Sequence, residues 1–368
     1  MKRAIKIVCF AGSIVAGILF IAESEIFVQG VKKGLAVCAD SVIPSLFLFM
    51  ILSQFICSSG LSQIFAKLLK PVIKYVFNLP AQAGAAVLMS FIGGYPSASK
   101  SIVSAVKSGK LSAKAAQRML CYCVNAGPSF IIGAVGIGMY GSLKTGVMLY
   151  ASQIISAILI GFALSFTEKR NLSEIPPIPE NTPYSTAFVR STATAVEAML
   201  KMCGFIVFFG AVNEYALQSG VLDFAAGLIG KIIPTADIRD IKGLLCGILE
   251  VTAGCSISAS SLTAAFLLSF SGISVIFQIS EQFSDIGVRV SMKPFFISRI
   301  FHGLLTSFVF FIFTKIFPEI VSAGNFGAGN YPLKLNSESI YVSIALLITA
   351  SVFLLSLSEN KNKKYNVI

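Results

Sequence analysis

Long apolar runs dominate this sequence and constrain what it can fold into. Six of them reach about 20 residues, the length of helix that crosses a bilayer core. They lie near 5–22, 35–57, 145–166, 200–218, 293–317 and 338–357. Only 12% of the 368 residues are charged, whereas a soluble domain carries about 25% charged residues. The sequence therefore excludes an ordinary soluble enzyme and predicts an all-α, polytopic integral membrane protein.

Shorter apolar runs are interrupted by Gly, Pro or Ser and are too short or too broken for simple spans. They lie at 83–97, 119–140, 243–253, 258–270 and 271–280. Two amphipathic segments, 61–78 and 221–233, are typical of helices that lie in the membrane interface. We expect about eight spans, interfacial amphipathic helices and two re-entrant helical hairpins, at 83–107 and 243–270.

The 29 Lys and Arg residues give a net charge of +12 and are unevenly spread. With the N-terminus in the cytoplasm, the predicted inner segments hold 20 of them and the outer segments hold eight. Cytoplasmic loops of membrane proteins are rich in Lys and Arg, so this distribution predicts that both termini are cytoplasmic. The basic residues lie along one membrane face, which favours the lipid bilayer over a nucleic acid as partner.

The two halves of the chain resemble each other at an offset of 160 residues. Ser59-Gly60-Leu61 and Ser219-Gly220-Val221 each follow an apolar span and precede an amphipathic segment. At the same offset MSFIGGYPS (89–97) falls on LEVTAGCSI (249–257), with Gly94 on Gly254. Farther along, the offset drops to about 145, and Asn125 to Ser129 then faces Phe270 to Ser274.

The charge count gives the two halves opposite directions across the membrane. The span at 35–57 runs inward and its counterpart at 200–218 runs outward, so the halves are expected to be inverted copies. An inverted repeat with a Gly-broken segment at matching places is typical of a secondary transporter and of its binding site.

The breaks are the expected binding site because irregular backbone at membrane depth persists only where it lines a cavity or is buried. Half-helix N-termini there present N–H groups that suit a carboxylate or a phosphate. The alternative is that the small residues only allow close helix packing. The predicted substrate-binding residues are Gly93, Gly94, Tyr95, Pro96, Ser97, Asn125, Gly127, Ser129, Glu250, Thr252, Gly254, Ser256 and Arg299.

Ionisable side chains inside apolar segments are costly and usually functional. Three roles are open for Glu250. It binds a proton or Na⁺ for coupling, it forms a hydrogen bond with a polar substrate, or it forms a structural ion pair with a Lys or Arg. Arg299 either binds a dicarboxylate substrate or extends toward the inner face. A structural role is favoured for His302, and Glu197 and Lys201 are spaced as an i,i+4 ion pair.

Five motifs lie in order over about 30–320 and resemble one known family. They are Ile43-Pro44-Ser45-Leu46-Phe47, Gly94-Tyr95-Pro96, Lys100, Asn125-Ala126-Gly127-Pro128 and Leu249-Glu250-Val251-Thr252-Ala253-Gly254. In these motifs the chain resembles the sporulation integral membrane protein YlbJ family, which belongs to the larger group with nucleoside-recognition, or Gate, domains. It departs from the usual pattern at Gly93, where the family has Ser, and in the Ala-Gly-Pro turn.

The resemblance implies an architecture similar to that of concentrative nucleoside transporters, with two Gate-like repeats. Repeat 1 contains the hairpin at 83–107 and repeat 2 the hairpin at 243–270. The expected segments are a first transmembrane segment (1–30), repeat 1 (31–166), a Pro-rich cytoplasmic linker (167–190), repeat 2 (191–317), and a last transmembrane segment with a basic tail (318–368).

The resemblance also implies a role in late spore formation. It implies alternating-access export of a small anionic metabolite, dipicolinate, from the mother cell, with the protein in the mother-cell or outer forespore membrane. Two alternatives stay open: a non-transporting scaffold for spore envelope or coat assembly, and a nucleoside transporter. The sequence contains no convergent acid/base or metal-binding set, so we expect no enzyme, cofactor or metal site. A homo-oligomer is also open.

Overall fold

A computed structural model describes residues 2–167, 183–284 and 291–318. These residues form helices joined by short turns, which confirms the all-α prediction. Most of the predicted linker, and the predicted last membrane segment and basic tail beyond Pro318, lie outside the described residues.

The first half of the described chain contains helices α1 to α8. Their bounds are α1 Lys2–Ala22, α2 Ser24–Val37, α3 Ile43–Ser58, α4 Leu61–Tyr75, α5 Gly84–Ile92, α6 Gly94–Lys107, α7 Ala113–Cys123 and α8 Leu143–Ser165. A π-helical turn, Cys38–Val42, joins α2 to α3. A longer π-helical segment, Ser129–Met139, precedes α8.

The second half contains helices α9 to α15. Their bounds are α9 Tyr184–Gln218, α10 Val221–Ile232, α11 Ile238–Leu249, α12 Val251–Ile257, α13 Ser261–Phe270, α14 Gly272–Ser284 and α15 Met292–Ile316. Helix α9 begins at Tyr184, so the last residues of the range predicted as a linker, 167–190, are helical.

Five helical segments of the described chain are long and apolar enough to cross a membrane. They are Ser24–Ile56, Leu143–Ser165, Tyr184–Gln218, Ser261–Ser284 and Met292–Ile316. The fourth corrects the expectation that the runs at 258–270 and 271–280 are too short, because only Ser271 separates α13 from α14. The chain is therefore a multi-pass membrane protein.

Small residues bring α2 into direct backbone contact with α9. A Cβ atom added at Gly30 would lie 2.6 Å from the Ala211 Cα, and one at Gly34 would lie 2.9 Å from the Val207 Cα. Next to this contact, Lys33 Nζ of α2 forms an ion pair with Glu214 Oε1 of α9 at 2.7 Å. Glycine is required at both positions because a side chain would push the helices apart.

The Ser-Gly-aliphatic sequences of the two halves adopt the same backbone conformation. Gly60 precedes α4 with φ 78°, and Gly220 precedes α10 with φ 76°. Both values lie in the left-handed region, which glycine enters without the steric penalty of a Cβ atom. The two amphipathic segments predicted from sequence thus begin in the same way, 160 residues apart.

A Gly220→Ala substitution should lower the stability by about 1 kcal/mol, because alanine is strained in the left-handed region. No heavy atom lies within 4 Å of the added Cβ, so the effect isolates the backbone. Gly227→Ala, in the interior of α10 and equally open, is the matched control and should stabilise the helix slightly. Thermal unfolding in detergent measures the stability of both variants. Equal changes in stability would contradict the left-handed conformation of Gly220.

Candidate functional site

Helical breaks occur at related places in the two halves, and each break packs on a second one. Gly93 separates α5 from α6, and Gly94 has φ 76°. A Cβ atom at Gly94 would lie 3.3 Å from the Gly127 nitrogen in the segment after α7. In the second half Glu250 separates α11 from α12, and Gly272 lies against the backbone on either side of it.

A cavity is lined by breaks from both halves. Its empty volume, including the part open to the outside, is about 580 Å³. Residues of the first-half breaks and polar side chains of the second half make up part of its lining: Gly93, Gly94, Tyr95, Pro96, Gly127, Glu250, Thr252, Ser274 and Gln278. The apolar part consists of Val42, Leu46, Met50, Phe130, Met202, Phe205, Ile206, Val251 and Val275.

Of the described residues that line the cavity, Glu250 alone has an acidic or basic side chain. Glu250 is 3% exposed. Its carboxylate accepts hydrogen bonds from the backbone N–H groups of Thr252, at 3.0 Å, and Ala253, at 2.8 Å. The carboxylate therefore caps the start of α12, where the helix dipole favours a negative charge. Within the described ranges it forms no ion pair with a Lys or Arg, so the structural pair considered from sequence is not found there.

The start of α6 differs from the start of α12 because no side chain caps it. Tyr95 points away to the other half, where its hydroxyl donates to the carbonyl of Leu268 at 2.5 Å. Ser97 is fully buried and bonds to α3, at 3.3 Å from both Ser53 Oγ and Gln54 Nε2. Of the helix starts of α6 and α12, that of α6 is the one without a side-chain carboxylate.

Arg299 lies outside the cavity lining, although it is fully buried. Its Nη1 donates to the carbonyls of Val124, at 2.5 Å, and Ser269, at 3.4 Å, and its Nη2 donates to that of Cys121. These carbonyls are at the C-terminal ends of α7 and α13, where a cation is favoured by the helix dipole. The guanidinium thus holds the ends of helices from both halves, and neither sequence-based role, binding a substrate or extending toward the inner face, matches its contacts.

Gly254 and Ser256 also lie outside the cavity lining. The repeat predicts a helix break at Gly254. In the structure Gly254 instead lies inside α12, where it packs on Gly247 of α11. The break falls four residues earlier because the Glu250 carboxylate caps a new helix there. Ser256 is exposed, and its hydroxyl donates to the carbonyl of Ala253 at 2.8 Å.

Asn125 and Ser129 flank Gly127 without lining the cavity. Asn125 is fully buried, and its Nδ2 donates to the carbonyl of Tyr122 at 2.9 Å, at the end of α7. Ser129 begins the π-helical segment. Both residues therefore belong to the second break of the first half rather than to the cavity wall.

The sequence-based prediction missed Gln278, which lies on α14 one turn after Ser274. Gln278 is 8% exposed and lines the cavity. Its amide forms no hydrogen bond to the described protein. The signal was present, because Ser274 and Gln278 are polar residues four positions apart in an apolar run and so share one helix face.

Two other predictions concern residues outside the cavity lining. Glu197 and Lys201 do form an i,i+4 ion pair, at 3.3 Å, which confirms that prediction. His302 is fully buried and contacts the carbonyl of Gln153 at 3.3 Å between α15 and α8, a packing position that agrees with a structural role.

Arg299→Ala should destabilise the protein by about 3 kcal/mol or more, because it leaves several buried carbonyls without a donor. Arg299→Lys should recover only part of the loss, since an ammonium cannot reach both helix ends as a planar guanidinium does. Lys293→Ala, an exposed position on the same helix, is the control. Thermal unfolding in detergent measures all three, and an Arg299→Ala protein as stable as the control would refute the structural role.

Comparison with known proteins yields one informative relative. The chain is 25% identical over 317 residues to the sporulation integral membrane protein YlbJ of Bacillus subtilis strain 168, covering 77% of this chain and 76% of that protein. No protein-family profile matches the chain, and no solved structure is similar to it. The description of the relative as an integral membrane protein agrees with the five membrane-length helices. The alignment agrees with the resemblance to the YlbJ family that the sequence motifs indicate, and it extends over 77% of this chain.

Proposed function

We propose that this protein is a secondary transporter that moves a small anionic metabolite, dipicolinate, across a membrane during sporulation. The observation that carries the proposal is the cavity lined by helix breaks from both halves. Backbone that leaves a helix inside a membrane protein normally borders a cavity or a site. The relative's name supports a sporulation membrane protein, and the substrate follows from the family resemblance. On this proposal the protein is not an enzyme.

In this proposal the two halves form an inverted repeat of Gate type with about eight spans in the whole chain. The segment 83–107 is one re-entrant hairpin. The second is confined to α11 and α12, because the last part of the predicted range 243–270 belongs to the membrane-length segment Ser261–Ser284. The two hairpins enter from opposite faces and place their breaks at the cavity. Alternating access then consists of movements that open the cavity first to one face and then to the other. The φ values shared by Gly60 and Gly220 support the repeat.

Both termini are cytoplasmic in this proposal, and the distribution of charge supports that orientation. Hydrogen bonds from Asn78 to Ser165 and from Gln117 to Ser291 bring the ends of α4, α7, α8 and α15 together at one end of the protein. Exposed lysines on these and adjoining segments, such as Lys67, Lys107 and Lys293, give this end its positive charge. At the other end basic and acidic side chains pair, as Lys33 with Glu214 and Lys242 with Asp223.

The negative charge of an ionised Glu250 limits where an anionic substrate can bind in the cavity. An anionic substrate in the same low-dielectric cavity is repelled by an ionised carboxylate. We therefore propose that the substrate's anionic group binds the uncapped start of α6 while Glu250 takes up a proton or Na⁺. The anionic substrate and the cation enter together because each offsets the electrostatic cost of burying the other. Arg299 acts indirectly, by holding the helix ends beside the cavity.

Uptake into proteoliposomes that contain the purified protein tests the proposal. Wild-type protein should accumulate labelled dipicolinate, and Glu250→Gln should reduce uptake to the level of protein-free vesicles, because the coupling group is lost. Glu197→Gln is the matched control, because Glu197 is exposed and is not part of the cavity lining. Its uptake should equal that of the wild type.

The same vesicles separate the alternatives. Uptake of uridine in place of dipicolinate would identify a nucleoside transporter. No uptake of either compound by correctly folded protein would contradict the proposal and favour a scaffold for spore envelope or coat assembly. Normal dipicolinate uptake by Glu250→Gln would remove Glu250 from the coupling mechanism.

A further inference from the structure

Helix α4 presents three distinct sides along its 15 residues. Ile73 is buried and Leu69 packs against the core. A second side is apolar and exposed, with Ile64, Leu68 and Val72 at 64%, 75% and 42% exposure. The third side carries Lys67, Lys70 and Lys74, which lie on one helix face because they are spaced i, i+3 and i+7.

The exposed apolar side adjoins the basic one, which is the arrangement of a helix at the boundary between lipid tails and headgroups. A helix of 15 residues is too short to span a bilayer core. In that position the apolar side contacts acyl chains while the lysines lie at the level of the headgroups. Helix α4 contains no acidic residue.

The counterpart helix α10 shows that this positive charge is not a requirement of the fold. It begins at Gly220 as α4 begins at Gly60, and it also exposes apolar side chains, Phe224 at 71% and Leu228 at 47%. Yet α10 has no basic face. Its one acidic residue, Asp223, pairs with Lys242 of α11, and its one basic residue is Lys231.

More positive charge lies at the same end of the protein as α4. The Arg118 side chain of α7 donates to the carbonyls of Phe77, at 3.1 Å, and Asn78, at 2.5 Å, just after α4. This contact fixes α7 beside the end of α4. Lys107, the last residue of α6, and Lys110, in the connection from α6 to α7, therefore lie at the end of the bundle that carries the α4 lysines.

We propose that the lysine face of α4 is a binding site for anionic phospholipid headgroups, such as those of phosphatidylglycerol, in the leaflet where α4 lies. Anionic headgroups complement three lysines at the membrane surface, and the adjoining apolar side receives the acyl chains of the same lipids. The counterpart helix α10 binds lipid without selecting for charge. This assignment is independent of the transported substrate.

The absence of tryptophan from the chain allows a direct test. Leu68→Trp places a single fluorescent reporter on the lipid-facing side of α4, and Phe224→Trp places a matched reporter on α10. Each full-length protein is reconstituted into mixed bilayers that contain brominated phosphatidylglycerol or brominated phosphatidylcholine. Quenching by each lipid then gives the relative affinity of the surface around the reporter.

The α4 reporter should prefer phosphatidylglycerol by about fivefold or more, since each lysine near an anionic surface contributes about that factor. The preference should fall toward unity in high salt and when Lys67, Lys70 and Lys74 are all changed to Gln. The α10 reporter should show no preference. Equal quenching by the two lipids at the α4 reporter, or a preference that survives the triple substitution, would overturn the proposal.

Discussion

Interrupted helices in an apolar interior are the constraint on which the rest of this structure depends. Each interruption frees backbone N–H and C=O groups that cannot be left unpaired away from water. Polar side chains satisfy several of these groups in the described structure, whereas no side chain caps the start of α6. The Glu250 carboxylate binds the N–H groups at the start of α12, and the Arg299 guanidinium binds carbonyls at the ends of α7 and α13. The need to pair these backbone groups therefore explains why Glu250 and Arg299 are buried in a chain with so little charge.

Several of these contacts cross from one half of the chain to the other. Arg299 belongs to the second half but binds Val124 of the first, and Tyr95 belongs to the first half but binds Leu268 of the second. A displacement at one break must therefore alter hydrogen bonds at the other. Such reciprocal contacts give the two halves a physical route of coupling, which alternating access requires if the cavity is to open to one face at a time.

The sequence predicts the broad architecture well, because run length and hydrophobicity determine which helices can span a bilayer. The break at Gly93 and Gly94 follows from local chemistry, since a glycine pair before Pro96 interrupts an apolar run. The second break was predicted at the wrong residue because the repeat aligns Gly94 with Gly254. In the protein the capping carboxylate of Glu250 starts the new helix, and Gly254 serves for close packing.

Tertiary contacts explain what could not be predicted. Arg299 is 175 residues from Val124 in sequence, and no local pattern reveals that its partners are backbone carbonyls rather than a substrate. Gln278 likewise becomes a cavity residue only when α14 packs beside both breaks. The apolar lining from α3 and α9 resembles any lipid-facing surface when it is read from sequence alone.

The central claim is that the cavity between the breaks is part of a path that opens to both sides of the membrane. Its most direct test is the reaction of a membrane-impermeant thiol reagent with Gln278→Cys, in protein whose native cysteines have been replaced and whose orientation in vesicles is known. We predict labelling from either side of the membrane, with protection by the transported substrate. Labelling from one side only, or from neither, would contradict the claim.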